Sequence, residues 1–311
     1  MLVSKSFLIF LLTLTCQNHV FASNFSKNAN GTTGAQFLEL PVGACAIAMG
    51  TAAGALNADV SVFHYNPAAI ASLQGTSISL MHSIYFQDIS YQYAALSKSI
   101  NIGTLAVEIK YLSYNELEEI DNAGNETGGA FTPRDIATSL GYGIGFGKFD
   151  FGISGKYISS QIQESAHSYA VDSGIRIRVS RATTLGISVT NIGKGLKYID
   201  GADSLPTTGR LGSAFKITDK LLLSGDIIAP KGAAGYFAAG TEYAVYKVQN
   251  LAFFFRAGYN GRNFSSKLGG LTGFSAGAGF GFGRFTIDYG WTSFGDLGNA
   301  HRISLGIRFV K

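Results

Sequence analysis

Across residues 284–292, Phe285, Ile287, Tyr289 and Trp291 alternate with Thr286, Asp288, Gly290 and Thr292. In a strand the large apolar set therefore points one way and the small or polar set the other. Ile303, Leu305, Ile307 and Phe309 alternate in the same manner with Arg302, Ser304, Gly306 and Arg308. So do Leu105, Val107, Ile109 and Tyr111 against Glu108 and Lys110, Phe149, Phe151, Ile153 and Tyr157 against Asp150, Ser154 and Lys156, and Ile175, Ile177 and Val179 against Arg176 and Arg178. One such strand suits a soluble sandwich. Repeated along the chain, the pattern suits a transmembrane antiparallel β-barrel with a lipid-facing apolar band and a polar-packed interior.

From Gln74 onward the pattern predicts about fourteen segments of the length a tilted membrane strand needs. They are 74–82, 87–98, 101–112, 133–146, 149–162, 168–180, 183–193, 206–217, 220–229, 235–245, 249–260, 271–282, 285–294 and 300–310. Every second connection is tight: Ser99-Ile100, Gly147-Lys148, Arg181-Ala182, Thr218-Asp219, Tyr246-Lys247-Val248 and Gly283-Arg284. The others include the long, polar, glycine-rich stretches 113–132, 192–205 and 261–270. This parity predicts an even strand count, with both ends of the barrel on the periplasmic side.

Residues 35–73 break the alternation. The stretch 41–56 is small and apolar, and Asn66-Pro67-Ala68-Ala69-Ile70 follows it, with Asn66 placed to cap a short helix and Pro67 at its first position. An N-terminal helical plug in the barrel lumen is expected, the alternative being a helix lying in the periplasm beneath the barrel. The expected division is a signal peptide over 1–22, an N-terminal extension and plug over 23–73, and a transmembrane barrel over 74–311.

Composition supports export to a bacterial outer membrane. Hydrophobic residues make up 46% and aromatics 13%, yet beyond the first 22 residues no apolar run reaches the ~18 residues of a helical span. The 40 glycines against 5 prolines suit tight turns and close strand packing. Lys5, the apolar run 7–14 and Val20-Phe21-Ala22 read as a signal peptide cleaved between Ala22 and Ser23. Lipidation at Cys16 fits poorly because Thr13 stands where a branched apolar residue is wanted. Cys45 then remains as the sole thiol, which excludes an intrachain disulfide. A net charge of +4 without a basic cluster gives no footing for nucleic acid.

Chemistry-bearing residues are sparse. His64, His82, His167 and His301 lie far apart, and the chain carries no metal-spaced His/Cys cluster, nucleophile elbow or phosphate loop. A non-enzymatic protein without metal or cofactor is expected. His82 with Asp88 is weighed as a rim site against a histidine at the headgroup level. The acidic residues Glu116, Glu118, Glu119, Asp121 and Glu126 are weighed as a cation site against a solvated loop. Charges on the small-residue face, among them Glu108, Lys110, Asp150, Lys156, Arg210, Asp226, Glu242 and Arg256, mix both signs and are expected to pair inside the lumen. Asp288 is expected to pair with Arg302 or Arg308.

Several blocks resemble a known family. Gly43-Ala44-Cys45-Ala46-Ile47-Ala48-Met49-Gly50, Asp59 and Tyr65-Asn66-Pro67-Ala68 are similar to the N-terminal signature of the PorV/PorQ family of the FadL-like superfamily. Asn191-Ile192-Gly193, Leu205-Pro206 and Arg256-Ala257-Gly258-Tyr259 follow in order, and residues 294–305 resemble its C-terminal block. The resemblance implies a fourteen-stranded barrel with a hatch formed around Gly43, Cys45, Met49, Gly50, Asn66, Pro67 and Ala68. Cys45 and Ala48 depart from the arginine and glycine common there. Two functions follow. PorV-like members receive exported proteins for type IX secretion and surface attachment. FadL relatives pass hydrophobic small molecules, such as long-chain fatty acids, from an outer pocket past the hatch into the membrane through a gap in the wall. The first leads here, with exported cargo proteins as partners; the second, with an apolar ligand, is the alternative. Outer-membrane lipid is a partner in both.

Overall fold

The computed structural model describes residues 25–26, 29–85, 89–121, 123–198, 201–248 and 250–310, so the expected cleavage at Ala22 and Ser23, Cys16 and Asp88 lie outside the described residues. The strands are β1 (Thr76–Ile84), β2 (Ser90–Ile100), β3 (Gly103–Ser113), β4 (Leu117–Ile120), β5 (Glu126–Phe131), β6 (Arg134–Phe146), β7 (Phe149–Gln161), β8 (Ser165–Arg178), β9 (Thr183–Gly193), β10 (Thr208–Lys216), β11 (Leu221–Pro230), β12 (Tyr236–Val248), β13 (Leu251–Asn260), β14 (Phe274–Phe282), β15 (Phe285–Ser293) and β16 (Asn299–Phe309). All but β4 and β5 form a closed barrel of 14 antiparallel strands, with β1 paired to β16. β4 and β5 form a separate hairpin within the long β3–β6 connection. The fourteen barrel strands fall in the expected order and begin and end within 3 residues of the expected spans.

The facing follows the alternation. Phe285, Ile287 and Tyr289 are exposed on the outer surface while Asp288, Gly290 and Thr292 are buried inside. β8 alternates over almost its whole length, with Tyr169, Val171 and Ile175 outside and Ser168, Ala170, Asp172, Gly174 and Arg176 inside. The exposed large hydrophobics thus form an outer band, and the closed wall removes the sheet edge that hydrocarbon would leave unpaired.

Residues 36–73 pack against the inward surface of the wall. A 3-10 turn (Gln36–Glu39) lies among the long connections, the short helix α1 (Ala44–Ala48) lies against β14 and β15, and two further 3-10 turns (Val60–His64 and Pro67–Ser72) follow. Asn66 Oδ1 accepts from Ala68 N at 3.0 Å, with Pro67 at the start of its turn. Gly43 and Gly50 take φ of 75° and 66°, where a side chain would be strained. Inward glycines let the backbones approach. A Cβ at Gly152 would overlap the Pro67 backbone, one at Gly174 the Asn66 side chain, one at Gly258 the Gly50 backbone, and one at Gly290 the Ala44 carbonyl. Besides the tight turns and close strand packing that composition suggests, glycines of the wall serve as seats for this segment.

Candidate functional site

Wall side chains hold the inner segment through its backbone. Ala44 N donates to Ser304 Oγ at 2.8 Å, Gly50 N to Ser275 Oγ at 3.1 Å and Gly54 N to Asp226 Oδ2 at 2.9 Å. Ser188 Oγ donates to Tyr65 O at 2.8 Å, Arg210 Nη1 to Thr51 O at 3.0 Å and Arg176 Nη1 to Ala69 O at 3.2 Å. These bonds satisfy buried polar groups of a segment too short and irregular to satisfy its own. Of the residues expected in a hatch, Met49, Asn66, Pro67 and Ala68 are fully buried, and Cys45 is 8% exposed with its thiol free.

Most interior charges pair, while buried Arg176 and Arg302 form no ion pair among the described residues. Glu108 meets Lys110 at 2.9 Å, Lys156 meets Asp172 at 3.1 Å, Arg178 meets Asp150 at 2.7 Å and Arg210 meets Asp226 at 2.5 Å. Arg256 bridges Glu242 at 2.7 Å and Asp288 at 2.6 Å. The expected pairing of Asp288 with Arg302 or Arg308 is therefore corrected. The β15–β16 register sets Asp288 opposite Ser304, so Arg302 and Arg308 lie toward opposite ends of the strand. Arg302 donates to Thr292 Oγ1 at 2.9 Å, and Arg308 to Ala58 O. Asp172, not among the charges expected in the lumen, sits on the inward face of β8 by the same alternation.

At the long-connection end, a cavity of about 390 Å³ lies between the Gln36–Glu39 turn, the wall and the inner segment. Phe37, Leu38, Ile47, Tyr65, Leu112 and Tyr236 give it apolar and aromatic walls. Residues 29–40 roof it: Gly34 N donates to Ser204 O at 2.9 Å, and Glu39 pairs with Arg262 at 2.7 Å and accepts from Thr208 Oγ1 at 3.2 Å. None of this roof was legible as a site, since Glu39 and Arg262 lie 223 residues apart.

One stretch of wall beside the cavity is irregular. The β8–β9 ladder shifts register between Val171 and Ser173, where Asn191 adopts φ 60°. Asn191 N donates to the Asp172 carboxylate at 2.6 Å in place of a ladder carbonyl, and Lys156 Nζ reaches Asn191 Oδ1 at 2.5 Å. Asn191 Nδ2 donates to Pro206 O at 3.2 Å, which joins the Asn191-Ile192-Gly193 and Leu205-Pro206 blocks. Lys156, Thr190 and Asn191 line the cavity. On the outer face just beyond the shift, a groove of about 380 Å³ runs between Tyr142, Phe151, Ile153, Ile175, Ile187 and Val189.

The four histidines among the described residues do not converge. His64 lines the cavity, His82 and His301 face outward, and His167 bonds Tyr157 Oη at 3.0 Å as His301 bonds Tyr289 Oη at 2.8 Å. The acidic loop serves its own hairpin. Asp121 accepts from Ala123 N at 2.8 Å and Asn125 N at 2.9 Å, and Glu119 from Thr127 Oγ1 at 2.9 Å.

No protein-family model matches the chain, and no curated protein matches it in sequence. Solved structures do share its fold. The P. putida toluene transporter TodX is similar at 12% identity and a TM-score of 0.55, over 87% of this chain and 99% of that one. The Ralstonia pickettii toluene transporter TbuX is similar at 14% and 0.54, over 86% and 98%. A Pseudomonas aeruginosa FadL homologue is similar at 12% and 0.53, over 85% and 97%. At such identities the likeness is one of architecture: the chain has the barrel fold of FadL-type channels.

Proposed function

We propose that this chain is a non-enzymatic outer-membrane barrel that conducts apolar small molecules, with residues 43–73 as its hatch. One observation carries the reading. The aromatic-walled cavity and the outward groove lie on opposite sides of the β8–β9 seam, where the Asp172 carboxylate takes the Asn191 N–H in place of a ladder carbonyl and Lys156 holds the Asn191 side chain. Side-chain closure can open without breaking a run of backbone bonds, so the seam offers an apolar solute a way into the bilayer. The fold likeness to the toluene transporters TodX and TbuX supports the same reading over the secretion partner expected from the sequence blocks.

The test uses a disulfide across the seam. Val171 and Ile192 face each other on the outer surface. The variant Val171→Cys/Ile192→Cys/Cys45→Ala should take up labelled toluene when reduced and lose uptake when oxidised. Equal uptake in both states would remove the seam route. If neither state takes up any apolar compound while deletion of residues 116–129 stops surface delivery of exported protein, the secretion reading replaces it.

A further inference from the structure

Arg302 is the unusual group in the cavity wall. It is 1% exposed, yet among the described residues no carboxylate forms an ion pair with it. Its Nη1 donates to Thr292 Oγ1, its Nε is buried with no acceptor, and its guanidinium lies 4.8 Å from the centre of the Tyr85 ring. The other cations lining the cavity are occupied: Lys156 by Asp172, Arg210 by Asp226 and Arg262 by Glu39. A buried guanidinium without a counter-charge is costly, and it is satisfied best by a planar two-oxygen anion. The cavity it lines is where such an anion would come from.

We propose that Arg302 is the anchor for the anionic group of a compact aromatic ligand, a carboxylate borne on an aromatic ring. This rests on the small-molecule reading above and names the ligand class. The aromatic body follows from the walls: Tyr85, Phe37, Tyr65, Tyr114, Tyr236 and Phe294 surround the space with ring faces and edges. The compactness follows from the roof at residues 29–40 and the inner segment at Ile47, Gly50 and Tyr65, which bound about 390 Å³. Arg302 sets the orientation, with the charged end toward Thr292 and Tyr85.

The experiment measures equilibrium binding to the purified full-length protein in micelles, with 4-isopropylbenzoate, neutral isopropylbenzene and laurate as probes. The wild type should bind the aromatic acid at least about tenfold more tightly than the hydrocarbon, and Arg302→Met should erase that preference while Arg302→Lys keeps part of it. A second reading needs no variant. The wild-type preference should vanish as pH falls below about 4, where the ligand carboxyl takes up its proton. No preference in the wild type, a preference retained in Arg302→Met or at pH about 3, or tighter binding of laurate than of the aromatic acid would each overturn the assignment. Toluene carries no acid group, so wild-type toluene uptake through the β8–β9 seam without any acid preference in binding would sink this inference and leave the conduit standing.

Discussion

Arg256 on β13 and Asp288 on β15 meet at 2.6 Å across an intervening strand, over the bare backbone of Gly279. A Cβ at Gly279 would stand 2.6 Å from Arg256 Nη1 and closer still to Asp288 Oδ1. The glycine is therefore the window through which the pair forms. Removing Arg256 leaves Glu242 and Asp288 facing each other in the interior, so Arg256→Met should cost about 3–5 kcal/mol in chemical unfolding from micelles. Gly279→Val should also destabilise, and much less so in the Arg256→Met background, because both changes break the same contact.

Facing on β15 gives a second expected outcome. Ile287 points to the outer band and Thr286 inward. Ile287→Arg should cost roughly 2–4 kcal/mol if it lies near mid-membrane, and less toward the interface. Thr286→Arg should assemble far better. Folded fractions on semi-native gels after refolding into lipid vesicles check the order.

Gly152 seats the Asn66-Pro67 turn. Gly152→Val should leave the barrel closed but lift the segment from the wall. The thiol of Cys45 should then react with an impermeant maleimide about tenfold faster, as about 1.4 kcal/mol of lost seating would give. An unchanged labelling rate would mean that the segment is held elsewhere.

At the tip of the β4–β5 hairpin, donation from the backbone N–H groups of Asn125 and Ala123 holds the Asp121 carboxyl below its ordinary value of 3.8. A depressed folded value stabilises the turn above the unfolded value, and that support is lost as pH falls through the folded one. The amides of Ala123 and Asn125 should therefore be protected at neutral pH and lose that protection only once the pH falls below the ordinary carboxyl value of 3.8, as followed by NMR. Asp121→Asn should flatten this dependence.

The barrel was legible because each strand declares its facing within a few residues. Glu108 and Lys110 sit on one face whatever their neighbours do. Partners were not legible, because they depend on register between strands: Asp288 opposite Ser304 rather than Arg302 is a matter of one offset. The close packing at Gly152, Gly174 and Gly258 was hidden for a related reason, since a glycine reads the same in a turn and beneath a packed backbone. The cavity joins Glu39, Arg262 and Arg302 across most of the chain, and no local pattern could have announced it.

The bond from Ala44 to Ser304 has a consequence for assembly. Its ends are 260 residues apart, and its acceptor lies on the strand that closes the wall against β1. Helix α1, which lies against β14 and β15, thus gains this last anchor only when the final strand arrives, so closing the wall and completing the helix seat become one late event. Contacts of such long range slow folding. A chain truncated before β16 should therefore lose the closing strand and the Ser304 anchor of the helix together.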